Sequence, residues 1–451
     1  MNLRGVAAVL ALLPALAEGE PPVFEMTFEA GIESALRNSE SLAAAERELE
    51  ALRQRTLSQA GFFLPRVSLE GSYRYVTEVP YFTPVPGGRA VTLGDNENYS
   101  YGPTVNWVVW DWGGIYQAWR SAGAREKAKR EEAELIRRQV RLSAVFAYSR
   151  VELGVEQVRL FSDALKLAQA QYKDIATRLK AGAASRIDAL QAHQEVLSRS
   201  RGLASARADL GSSLQDLMAM TGAGKGFDAS FPWHREKPEG LEASVTPASV
   251  IVSLDPLDNV LKDLESLPFR EPDAGHPSVK LLSFQAEAAS HSANSLLAAR
   301  LPRVQFSART SIDYPNGPIL EEFNQRTAGV VATMPLFEGG KVSRDEWEQR
   351  EQAKALAKRR DQAMTDLMRD WAKASTRLEA LRVQEELDRL SVSETAELAR
   401  LIYESYRSGQ VRFIEVETAN LRALEARVEE ARTKMGILGQ LAVLQSLSKE
   451  E

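Results

Sequence analysis

Apolar residues recur along the chain with two different periods, and the places where one period replaces the other divide it into elements. From Thr27 to Ala60 apolar and charged positions follow helical spacing without a proline, which predicts one helix with Glu29 in its acidic first turn. Leu64-Pro65 ends it and the period drops to two. Val67, Leu69, Gly71, Tyr73 and Tyr75 alternate with Ser68, Glu70, Ser72 and Arg74, the pattern of a strand over about 66–77 with one apolar and one polar face. Val79 to Asn98, holding Pro80, Pro84, Pro86, Gly87 and Gly88, predicts an exposed loop. A second strand over about 99–110 sets Tyr99, Tyr101, Val105, Trp107 and Val109 against Ser100, Thr104 and Asn106.

Helical spacing then returns for the longest proline-free stretch so far, Ile115 to Ala181. At 1.5 Å per residue this is a helix on the order of 100 Å long, well beyond an ordinary globular helix. Val151, Val158, Leu165, Tyr172 and Leu179 fall every seven residues, with Gly154, Phe161, Ala168 and Ile175 three further on, the a and d seam of a coiled coil. Leu153, Leu160 and Leu167 form a second row, so the helix needs neighbours on two sides. Gly182 ends it. A return helix follows to about Thr221, with Leu190, Leu197, Ala204, Gly211 and Met218 on one heptad row. Glycine just past a helix suits a left-handed cap, so the turn from Leu179 to Asp188 is the tip of a helical hairpin.

The same series is then repeated. Tyr406 to Glu415 copies that turn 227 positions later, with Gly409 in the place of Gly182 and Glu415 in the place of Asp188. Ahead of it come a helix from His276 to Arg300, a strand over about 303–314 and a loop at Pro315-Asn316-Gly317-Pro318. A strand over about 327–336, a proline-free helix from Lys341 to Ser408 and, after the tip, a helix from Val411 to about Leu447 complete the copy. Leu301-Pro302-Arg303-Val304 echoes Leu64-Pro65-Arg66-Val67, and Phe337-Glu338-Gly339-Gly340 echoes Trp110-Asp111-Trp112-Gly113-Gly114. The chain thus divides into a first repeat over 18–222, a proline-rich connection over 223–275 with a short helix at Asp258 to Ser266, and a second repeat over 276–451.

Composition narrows the picture. Arg4, the apolar run Val6 to Leu13 and Ala15-Leu16-Ala17 form a secretory signal peptide over residues 1–17. The chain has no cysteine, so neither disulfides nor a lipidated N-terminal cysteine are available. Beyond the signal no run of 18 apolar residues supplies a spanning helix. Lys and Arg number 56 against 62 Asp and Glu, and the net charge of −6 gives no basic patch for nucleic acid. His193, His234, His276 and His291 are not paired at ligand spacing, so neither a metal nor a cofactor is expected. Gly222-Ala223-Gly224-Lys225-Gly226 follows a helix and has no Ser or Thr after its lysine, which reads as a helix cap and not a phosphate loop. No catalytic constellation appears.

Four strands of about ten residues with aromatic apolar faces have the dyad pattern of outer-membrane strands, yet single-chain barrels begin at eight strands. An open sheet edge is not tolerated in lipid. Copies of the chain would therefore have to pool their strands, eight from two copies or twelve from three. On this face assignment Tyr73, Tyr75, Trp107, Phe306 and Ile312 meet lipid while Arg74, Asn106 and Arg309 face inwards.

In the duplicated order of elements, the Leu-Pro-x-Val strand entries, the Phe-Glu-Gly-Gly exit and the glycine-tipped hairpins, the sequence resembles the TolC family of outer-membrane efflux factors over essentially its whole mature length. The resemblance implies a mainly α fold with a membrane β-barrel: a homotrimer with a twelve-stranded barrel in the outer membrane of a Gram-negative bacterium, standing on a twelve-helix periplasmic tunnel. It further implies a passive, non-enzymatic export duct working with a periplasmic adaptor and an inner-membrane transporter. Asp188, Tyr406 and Glu415 match the family's tip positions, where polar links and acidic rings close the channel, beside the turn glycines Gly182 and Gly409. A further acidic position of the family, one turn after Glu415, is Thr418 here. The competing class is a periplasmic coiled-coil adaptor, which usually carries one hairpin between compact β-domains.

Overall fold

The computed structural model of the protein describes residues 23–88, 90–223, 251–266 and 269–448. The proposed signal peptide and most of the proline-rich connection lie outside them. In order the elements are β1 (Val23–Met26), α1 (Phe28–Asn38), α2 (Glu40–Ala60), β2 (Arg66–Tyr75), β3 (Tyr81–Phe82), β4 (Val91–Thr92), β5 (Glu97–Trp110), α3 (Gly114–Lys180) and α4 (Arg186–Thr221). There follow β6 (Ile251–Leu254), α5 (Leu257–Glu265), α6 (Pro277–Ala298), β7 (Arg303–Tyr314), β8 (Phe323–Thr333), α7 (Lys341–Arg407) and α8 (Phe413–Leu447).

The chain forms two compact units, and each takes segments from both repeats. Of the described residues, one holds those within 40–139, 270–372 and 447–448, the other those within 23–39, 140–223, 251–269 and 373–446. In the first unit β2, β5, β7 and β8 make one antiparallel sheet in that order. The register sets Tyr73 opposite Tyr99, Tyr99 opposite Tyr314, Tyr101 opposite Ile312, and Trp107 opposite Phe306, itself opposite Val330. Paired residues share a face of a sheet, so these aromatic and aliphatic residues lie on one side, while Val108, Phe323 and Val331 fall on the other.

The second unit is helical. α3 packs on α4 where Gly154 meets Leu210 and Gly202 meets Phe161, and α8 packs on α3 where Gly439 meets Phe146. A Cβ on Gly202 or Gly439 would stand 2.8 Å from those rings, so the absent side chain sets the helix spacing. Val151 and Ile175 of the first heptad row pair are fully buried, whereas Leu167 of the second row remains 48% exposed.

Several expectations change. The helix foreseen from Thr27 to Ala60 is broken at Ser39, whose ψ of 106° is extended. Asn38 stabilises the break by donating to the carbonyls of Ser34 and Thr221. The fourth strand covers Phe323–Thr333 instead of 327–336, because Pro335 has no N–H for a ladder. The loop from Val79 to Asn98 carries the small hairpin β3–β4. The parallel pair β1–β6 was not foreseen either: four residues are too few to show a period. The short helix of the connection falls at Leu257–Glu265, one residue earlier than expected at each end.

Candidate functional site

Two regions bring together the residues singled out from sequence. The first is the sheet. Tyr73, Tyr75, Trp107, Phe306 and Ile312 share its apolar face, where Tyr73, Tyr75 and Trp107 are solvent-exposed in the single chain. Arg74, Asn106 and Arg309 share the other. That second face is bound by polar contacts: Arg309 donates to Ser100 Oγ at 2.6 Å, and Ser100 donates to Asp313. Towards the loops the tyrosines of the apolar face end in carboxylates, with Tyr99 donating to Glu322 and Tyr314 to Asp95, both at 2.7 Å. At the opposite end of β5 Trp112 holds a φ of 56°, a left-handed backbone that its counterpart Gly339 adopts freely at 60°. The Trp112 indole donates to the Pro302 carbonyl at 3.0 Å. Asp111 beside it accepts from the Ile115 N–H and so caps α3. A cavity of about 640 Å³ opens there, lined among others by Asp111, Arg303, Gln305 and Glu338.

The second region is the pair of hairpin tips. Gly182 and Gly409 both carry positive φ, 74° and 79°, and each ends a 67-residue helix. Asp188 forms a capping box with Ser185, accepting from its N–H while the Ser185 hydroxyl accepts from the Asp188 N–H. Glu415 occupies the same place in the second tip, accepting from the Arg412 N–H at 3.5 Å. Tyr406 is buried with Ile175, Ala192, Phe413 and Val416, its ring edge-on to Phe413 at 5.5 Å. Burial, and then the nearby charge of Asp188, push its hydroxyl pKa up.

A residue pair that sequence reasoning missed joins the two hairpins. The Tyr403 hydroxyl on α7 donates to Asp174 Oδ2 on α3 at 3.1 Å, and Asp174 is ion-paired with Arg178 at 3.1 Å. Arg178 in turn donates to the Arg407 carbonyl. Burial first, then the charge of Asp174, raises the Tyr403 pKa. Within one chain, then, the hydroxyl-to-carboxylate link runs through Tyr403 and Asp174, one turn from Tyr406 and about two turns before the glycine tips. The sequence signal was the i, i+4 spacing of Asp174 and Arg178, which is common on helices and marks nothing by itself. His193 stands against the Tyr172 ring at 5.3 Å, as expected of a helix-surface residue.

Among the described residues no group of histidines and acids has the geometry to hold a metal, and no helix is long and apolar enough to cross a membrane. The sequence profile of outer membrane efflux proteins matches residues 31–223 and 273–448, both halves of the duplication.

The chain belongs to the outer membrane efflux protein family. Solved structures share the fold of this family member. CusC aligns with a TM-score of 0.74 at 14% identity, over 97% of this chain and 96% of its own. VceC from Vibrio cholerae aligns at 0.72 and 16%, over 93% and 95%. The CmeC outer membrane channel of Campylobacter jejuni aligns at 0.71 and 14%, over 99% and 94%. No curated protein matches the sequence.

Proposed function

We propose that this efflux-family protein is the outer-membrane channel of a tripartite efflux or type I secretion system: a homotrimeric, passive duct that takes cargo delivered by an inner-membrane transporter and a periplasmic adaptor. The observation that carries the reading is the four-stranded sheet, apolar and exposed on one face, with β2 and β8 unpaired at its edges. Four antiparallel strands leave β2 and β8 running in opposite directions, so β8 of one copy can pair antiparallel with β2 of the next. Three copies then close a barrel of twelve strands, and closure is the way a sheet survives in lipid. The apolar face with Tyr73, Tyr75, Trp107, Phe306 and Ile312 meets lipid, and the face with Arg74, Asn106 and Arg309 lines the lumen. The long helices continue the duct, and the tips carrying Asp188, Tyr403, Tyr406 and Glu415 form its gate. A coiled-coil adaptor is the weaker reading, since it has no use for an exposed aromatic sheet face.

The test is the detergent-extracted protein. Native mass measurement should give three copies, and that species should produce stepwise conductance in planar bilayers. A stable monomer without conductance steps would sink the proposal.

A further inference from the structure

The polar face of the sheet has a charge of its own. The register places Arg66 and Arg74 of β2 on it, with Arg303 and Arg309 of β7, against only Glu70 and Asp313. β5 and β8 contribute no charge to this face, and Arg326 lies on the other one. The excess is two positive charges per copy, in a chain whose net charge is −6, so it is not a consequence of overall composition. Arg66, Arg74 and Arg303 are exposed and form no ion pair among the described residues. Arg309 is partly neutralised through Ser100 by Asp313, yet its Nε is buried without a partner, as is Oγ1 of Thr104 directly across the strands. Two of the acids near the loops are drawn towards the other face. Asp95 and Glu322 are held by Tyr314 and Tyr99, whose side chains belong to the apolar face.

Resting on the reading of this face as the lumen of a three-copy barrel, we propose that the barrel section is a selectivity filter for anionic solutes, with Arg66, Arg74 and Arg303 as the residues that set the preference. Three copies would line one passage with an excess of six positive charges. Low-dielectric walls focus such a field, raising the local concentration of anions and depleting cations, most strongly for multivalent ions. Among the cargoes a duct of this kind could carry, this favours anionic small molecules and acidic chains over metal cations.

Side-specific block of the intact trimer in a planar bilayer tests this independently of the tips. Hexacyanoferrate, a multivalent anion, is added to the compartment facing the β2–β5 and β7–β8 loops, and hexaamminecobalt, a multivalent cation, is added in a separate run. Hexacyanoferrate should block from that side and hexaamminecobalt should not. The double variant Arg74→Gln, Arg303→Gln should weaken the block about tenfold or more. Glu70→Gln, which removes a negative charge from the same face, should strengthen it, an opposite shift that misfolding would not produce. Stronger block by the cation, or equal block in wild type and double variant, would overturn the inference while leaving the channel reading intact. A wild-type trimer without any conductance would overturn the channel reading itself.

Discussion

Glu152 on α3 shows how a single half-buried side chain ties the non-repeated connection to the bundle. Its carboxylate accepts the N–H of Leu257, at the start of α5. One turn earlier the Tyr148 hydroxyl donates to the Met26 carbonyl and accepts from the Asp255 N–H, and Asp255 caps α1 through the Phe28 N–H. Burial, opposed by the Leu257 N–H and reinforced by the charges of Glu156 and Asp255, holds the Glu152 pKa at about 7. An unfolded chain has this group near 4.5, so between those values the folded protein binds the extra proton. Stability from this site is therefore complete below about 4.5 and is lost as pH rises towards 7. The thermal midpoint in detergent should fall across that interval in the wild type and change less in Glu152→Gln. Parallel pH curves for the two proteins would remove Glu152 from the account.

The tip gives a second prediction at this scale. A hydroxyl-to-carboxylate hydrogen bond contributes roughly 1.5 to 3 kcal/mol, and the proposed three-copy assembly would repeat it in each copy. If the link through Tyr403 and Asp174 restrains the hairpins, Tyr403→Phe with Asp174→Ala should raise single-channel conductance without reducing trimer yield. Tyr406→Phe with Asp188→Ala should act less, because Asp188 is engaged in capping its own helix and Tyr406 contributes its ring to the core. A larger conductance change in the second pair than in the first would reverse this assignment.

At the scale of elements, much of the architecture was legible because its signals are long. A helix of 67 residues without proline and strands with strict alternation over ten positions leave little ambiguity in period. The signals failed where geometry is decided across the chain. Ser39 breaks a helix because Asn38 finds Thr221, a partner 183 residues away, and Tyr403 finds Asp174 only once two hairpins lie together. The strand faces, by contrast, follow from local alternation, and the register extends them across all four strands. Their role in lipid has a direct test. Lys at Trp107 should cost about 2 to 4 kcal/mol at mid-depth in the bilayer, against little at Asn106 on the opposite face. Equal unfolding stability of the two lysine variants in lipid vesicles would show that the apolar face does not meet the membrane.

For the whole molecule the decisive question is what covers the apolar surface that one chain leaves open. On α7 Val383, Leu387 and Leu390 follow at spacings of four and three and are all more than half exposed, and Leu398 and Leu401, three apart, resume the same face eight residues further on. Among the described residues of their helical unit these aliphatic side chains have no covering partner, just as β2 and β8 have no second neighbour in the sheet. A neighbouring copy answers both needs at once, and burying each such side chain contributes about 1.5 to 3 kcal/mol. The paired substitution Leu387→Asp, Leu390→Asp should then cut the yield of the three-copy species severalfold in native mass measurements. Helical circular dichroism of the monomer should stay unchanged, because neither side chain is part of its core. A trimer that forms as well with two aspartates per copy on this stripe would mean that α7 faces solvent in the assembly, and that the sheet edges alone bring the copies together.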